Sequence, residues 1–111
     1  MPRAASARRY AQAVFELALE NRELEKWFDD LTLLSDSVSN QEFLDFLSQP
    51  RVTSEEKIRV VRDALGDSVG PLALNLMSLL ATKNIAHILP GITDQYQELL
   101  DAQQGIERAE T

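Results

Sequence analysis

Few side chains in this sequence could carry out chemistry. His87 is the single histidine, and there is no cysteine. A metal site needs several imidazole, thiolate or carboxylate ligands converging, and one histidine cannot supply a multi-histidine set. The missing sulfur removes disulfides, thiolate nucleophiles and sulfur-based zinc sites. No Glu-x-x-His spacing occurs, which di-iron helical bundles use. The glycines are isolated, so no glycine-rich loop can cradle a phosphate. No serine carries a specific signal of a neighbouring base. His87 therefore reads as a capping or surface residue near the start of the last helix.

Paired carboxylates are the remaining raw material for acid–base work. Asp29–Asp30 falls opposite the apolar stripe of its helix and reads as a solvated face. Glu55–Glu56 falls in the first turn of another helix, where negative charge suits the positive end of the dipole. No cofactor, metal or enzymatic activity is expected of this chain.

Charge narrows the partners. A formal net charge of −7 over 111 residues argues against nucleic acid, which requires a basic stripe. The one basic cluster, Arg3, Arg8 and Arg9, is small. The longest uncharged run lies between Asp67 and Lys83. It is shorter than the roughly 18–20 residues of a membrane span and is interrupted by Asn75, Ser78 and Thr82, so direct membrane insertion is not expected. "MPRAASARRYAQ" is basic, but Glu16 and Glu20 follow it. That pattern reads as an ordinary first helix rather than a signal or transit peptide.

These residues sit on elements whose periodicity is helical throughout. A first helix is expected over about Ala4 to Glu20. A second begins near Arg22, with Leu24, Trp27, Phe28, Leu31, Leu34 and Val38 on one stripe. A short third follows a capping box from Ser39 to Glu42 and stops at Pro50. A fourth opens with Thr53 and Glu56, turns Ile58, Val61 and Leu65 inward, and ends at Gly66. A fifth starts at Pro71 and closes at Lys83–Asn84. A sixth carries Ile88, Leu89, Ile92, Tyr96, Leu99 and Leu100 inward, with Gly105 as its closing residue. The expected fold is all-α, a compact six-helix bundle over residues 1–105.

Two of these helices carry more apolar surface than one core can use. On the first, Ala7, Ala11, Val14, Phe15, Ala18 and Leu19 form a core arc. Tyr10, Ala13 and Leu17 form another group at roughly 240–300° from Ala7 on a helical wheel. Arg9, Gln12, Glu16 and Glu20 take the remaining side, and the long stem of Arg8 can snorkel outward from the core edge. On the fifth, Ala73, Leu76, Met77 and Leu80 cluster on one face. Asn75, Ser78, Leu79 and Thr82 occupy another, and no side is charged. Two readings stay open. The fifth helix is central and wrapped by its neighbours, or its second face and the spare face of the first form a groove for a partner helix.

Four stretches in order resemble the delta subunit of F-type ATP synthase, called the oligomycin-sensitivity-conferring protein in mitochondria. "ARRYAQAVFELALEN" is similar to the family's opening helix, and "LEKWFDDL" to its second. "LSQPRVTSEEKIRVV" resembles the passage from third to fourth. "NLMSLLATKNIAHILPGITDQYQELLDAQQGIERAE" resembles the fifth, the sixth and the crossing into a second domain. The resemblance implies a non-catalytic stator component that binds the N-terminal helix of an alpha subunit between its first and fifth helices. Carried over by position, the contacts are Tyr10, Ala13, Asn75 and Leu79; the wheels add Leu17 and Ser78. It also implies that residues 106–111 are a tail opening a missing C-terminal domain, through which the peripheral-stalk b subunit would be met. Acidity and the lack of a clear transit peptide favour a bacterial source, so the expected location is the cytoplasmic face of a bacterial inner membrane, with mitochondria and chloroplasts as the less favoured settings. The competing expectation is a stand-alone helical adaptor gripping some other amphipathic helix.

Overall fold

The computed structural model describes residues 2–105; the expected tail, residues 106–111, lies outside them. Local signals set the helix ends. The Thr53 hydroxyl accepts the Glu56 backbone N–H at 3.1 Å and starts α4, Ser54–Leu65. Pro71 follows the extended Gly70 and starts α5, Pro71–Thr82. Gly105, with φ 72°, closes α6, Leu89–Gln104.

α1, Pro2–Asn21, and α5 end in the same way. Glu23 N–H reaches the Ala18 carbonyl at 2.9 Å and Arg22 N–H reaches that of Leu19 at 3.3 Å. After α5, Ile85 N–H reaches Leu80 O at 2.9 Å and Asn84 N–H reaches Ala81 O at 3.0 Å. Both closures need a left-handed residue, and Arg22 (φ 57°) and Asn84 (φ 60°) supply it. Asparagine tolerates that conformation. Arginine does so less well, which is why Arg22 gives no local stop signal and the second helix was expected to begin there. α2 in fact runs Leu24–Val38.

The third helix, α3, Gln41–Ser48, differs from expectation at its start. Its cap is Asn40, whose Oδ1 accepts the Phe43 N–H at 3.0 Å. Ser39 belongs to the end of α2 and donates its hydroxyl proton to the Asp36 carbonyl at 2.6 Å. Gly66 ends α4 as expected, but in right-handed conformation at φ −58°. His87 lies exposed in a 3-10 turn, Ala86–Ile88, immediately before α6.

The six helices form an all-α bundle, with no strand among the described residues. α6 is its spine. α1 packs along one side of it and α2 along another, while α5 packs chiefly on α4. Small residues allow the α1–α6 approach: Ala7, Ala11 and Ala18 are buried, and a Cβ on Gly91 would stand 3.3 Å from that of Ala7. Along the α2–α6 seam, Ser35 and Thr93 share a hydroxyl hydrogen bond of 2.6 Å. Tyr96 is buried at the centre, with its ring edge-on to Phe15 (5.8 Å) and stacked near Phe28 (6.4 Å). Its hydroxyl donates to the Leu24 carbonyl at 2.6 Å, and burial pushes its pKa up to about 12.

Three further expectations are corrected, and one buried charge was not anticipated. Asp30 is buried rather than solvated; only Asp29 of that pair faces water. Lys57, unremarked in the sequence, is buried and donates from Nζ to Asn84 Oδ1 at 2.5 Å. Leu19, placed in the core arc, is exposed, although its neighbour Ala18 is sealed. Leu99 is half-buried, lining a surface cleft with Arg8, Gln12, Gln95 and Glu98; the sealed residues of α6 are Leu89, Ile92 and Tyr96.

Candidate functional site

α5 is not wrapped on all sides. Ala73, Met77, Leu80 and Ala81 are buried against its neighbours. On its other side Leu72 is 45% exposed and Leu79 42% exposed, with Asn75 also exposed and Ser78 half-buried. A helix whose core-facing residue Leu80 is sealed at 0% while the adjacent Leu79 stands in water has one face without an intramolecular partner. On α1, Ala7, Ala11, Val14 and Ala18 are buried, Tyr10 is half-buried, Ala13 is exposed and Leu17 is 40% exposed.

The two helices are not packed on one another. Both touch the 3-10 turn that follows α5. At that end an open recess is lined by Ser6, Arg9, Tyr10 and Ala13 from α1 and by Lys83 and Ile85 beyond α5. Tyr10 and Ala13 are thus brought beside the C-terminal end of α5. Leu17, Asn75, Ser78 and Leu79 do not line this recess.

The other end of α5 is held by a polar clamp. The Asp30 carboxylate accepts the Gly70 N–H at 3.2 Å and pairs with the Lys26 ammonium at 3.0 Å. Negative charge at a helix start is favourable, and a buried carboxylate requires such partners. A small pocket of about 160 Å³ adjoins the clamp, lined by Glu23, Lys26, Trp27, Asp30 and the first residues of α5. Glu23 and Lys26 also flank the end of α1, beside Leu19 and Leu24. The start of α5 thus lies near the end of α1, and the end of α5 near the first half of α1.

The arrangement offers a surface, not a reactive centre. Among the described residues no three histidine or carboxylate side chains group as a metal site. The recess combines an aromatic ring, two aliphatic groups and two cations, which suits the apolar face and charged flank of a helix. Sequence reasoning left out Leu72, Arg9, Lys83 and Ile85. The seven-residue spacing of Leu72 and Leu79 was a usable signal for the first. Lys83 and Ile85 follow the helix, where a wheel has no power.

The ATP synthase delta (OSCP) subunit family matches residues 6–111. An ATP synthase subunit delta from Dehalococcoides mccartyi is 37% identical over 105 residues, covering 95% of this chain and 57% of that protein. One from Salinibacter ruber is 38% identical over 104 residues, covering 93% of this chain and 55% of that protein. A chloroplastic subunit delta from Ochrosphaera neapolitana is 34% identical over 101 residues, covering 90% and 56%. The chain therefore spans a little over half the length of the curated relatives it matches. By a match across nearly all of its residues, this chain belongs to the ATP synthase delta (OSCP) subunit family.

Proposed function

We propose that this domain is a non-catalytic stator component of ATP synthase. It takes the N-terminal helix of an alpha subunit between α1 and α5 and so helps hold the catalytic head against rotation. The observation that carries the reading is the bare, uncharged face of α5, with Leu72 and Leu79 in water beside a first helix that also leaves Leu17 exposed. Apolar side chains of that size at regular helical spacing are what a partner helix needs as anchor points. The proposed contacts are Tyr10, Ala13, Leu17, Asn75, Ser78 and Leu79.

The mechanism is mechanical. Torque applied to the head is dissipated if the head turns with the rotor. A clamp prevents this by dissociating slowly, and slow dissociation depends on a few well-buried anchors rather than on total area. No helix of the described residues is long and apolar enough to cross a membrane, so the domain would reach the membrane complex through other subunits. The cytoplasmic face of a bacterial inner membrane is the proposed setting. Contact with the peripheral-stalk b subunit is assigned to a C-terminal domain following residue 105, and to no residue of this bundle.

A synthetic peptide of the N-terminal segment of the alpha subunit from the same organism tests this. It should bind one to one by titration calorimetry and gain helicity by circular dichroism, since a short free helix is marginal in water. Absence of binding by calorimetry and by a second method would return the domain to the adaptor reading.

A further inference from the structure

We propose that the helix held between α1 and α5 carries acidic side chains on its flank where it crosses the first half of α1, and that Arg9 and Lys83 pair with them. The inference rests on the groove reading above and specifies the chemistry of the occupant.

Arg9 and Lys83 lie far apart in sequence and line the same recess. Both are exposed, and neither has an ion pair among the described residues, where the one salt bridge is Lys26–Asp30. Two cations in one recess stand out in a chain with 18 acidic residues against 11 lysines and arginines. No residue lining the recess is acidic. Tyr10, Ala13 and Ile85 supply the apolar part of the same lining, and Ser6 completes it. A helix laid on that surface removes water from the flanking ammonium and guanidinium groups. Desolvated charges are costly unless paired, so an occupant with neutral or basic flanks is disfavoured and one with carboxylates is selected.

The rim of α1 also changes sign along its length. Glu16 and Glu20 follow Arg9 by seven and eleven residues, which returns them to the same side of the helix. Both are exposed. Seven residues span about 10 Å of helix, so a cationic end and an anionic end lie within the length of a short bound helix. The acidic flank of the occupant belongs at the Arg9–Lys83 end, and this polarity sets its direction.

The test uses the alpha-subunit N-terminal peptide with three forms of the domain: unaltered, Arg9→Gln with Lys83→Gln, and Arg59→Gln with Arg62→Gln. The last pair removes the same charge from exposed positions on α4 that do not line the recess. The recess variant should lose at least tenfold in affinity at low salt and show a weaker salt dependence. The α4 variant should stay within about twofold, because long-range attraction is screened over roughly 10 Å at 0.1 M salt. A charge-swapped pair, Arg9→Glu with Lys83→Glu, should regain binding to a peptide whose acidic residues are replaced by lysine. That rescue separates pairing from any loss of fold. Equal changes in both glutamine variants, or none in either, would overturn the pairing while leaving the groove intact. No binding to the unaltered domain would remove the groove reading and this inference together.

Discussion

Asp30 and Gly70 stand 40 positions apart, and the Asp30 carboxylate accepts the Gly70 backbone N–H at 3.2 Å where α5 begins. Gly70 has no side chain with which to cap the helix, so α2 supplies the cap from outside. Asp30→Ala should lower stability by about 1–3 kcal/mol, through the unpaired N–H and the loss of the partner of Lys26. Asp30→Asn keeps an acceptor and should lose less. Urea unfolding midpoints compare them, and an unchanged midpoint in the alanine variant would show the clamp to be energetically idle.

Leu79 and Leu80 are chain neighbours with opposite surroundings. Leu80→Glu puts a carboxylate among sealed apolar groups and should cost several kcal/mol, enough to unfold a marginal domain. Leu79→Glu stays hydrated in the free domain and should cost less than about 1 kcal/mol. It should still weaken the alpha-subunit peptide by tenfold or more. Thermal melts without any partner check the first contrast. Similar large losses in both variants would place Leu79 in the core.

Arg22 holds a left-handed conformation at φ 57° with its side chain exposed. Glycine adopts that conformation without strain, so Arg22→Gly should stabilise the domain by about 0.5–1 kcal/mol. A rise of a few degrees in Tm is the expected reading for a domain of this size. A fall in Tm would mean that the arginine side chain contributes more than its backbone costs.

Tyr96 gives the domain an alkaline limit. Its folded pKa of about 12 lies above the ordinary tyrosine value of 10.0, because burial favours the neutral phenol. The unfolded chain therefore loses this proton first. The stabilisation is fully present below pH 10 and declines as pH rises from about 10 to 12. Tyr96→Phe removes the hydrogen bond to Leu24 and should cost about 1 kcal/mol at neutral pH. Melting curves taken from pH 8 upward should show a shallower decline in that variant. Parallel declines in both proteins would assign the alkaline loss to other groups.

How much was legible in advance depended on the range of the interaction. Thr53, Pro71, Asn84 and Gly105 act on backbone groups a few residues away, so the ends they set were readable from spacing. Ser39 and Asn40 are both capable caps in adjacent positions, and the choice between them fell to the local path of the chain after α2. On the two outer faces, Leu17 and Leu79 were placed in a spare arc and stand exposed, whereas Leu19 and Leu99 were placed in the core and are not sealed. A wheel measures how much apolar surface a helix has, and not which part of it a neighbour will cover.

Six helices, an all-α bundle and the surplus of apolar surface on the first and fifth were readable before any fold was known, and four stretches in order resembled the family. Each follows from periodicity, composition or short motifs, which are properties of contiguous residues. Helix packing is what made Asp30 a cap for a helix 40 positions away, buried Lys57 against Asn84, and set Arg9 and Lys83 in one recess. These pairings join residues distant in the chain, and their partners are fixed by how the helices pack. A polar side chain is read from sequence as solvated until a folded neighbour takes the place of water.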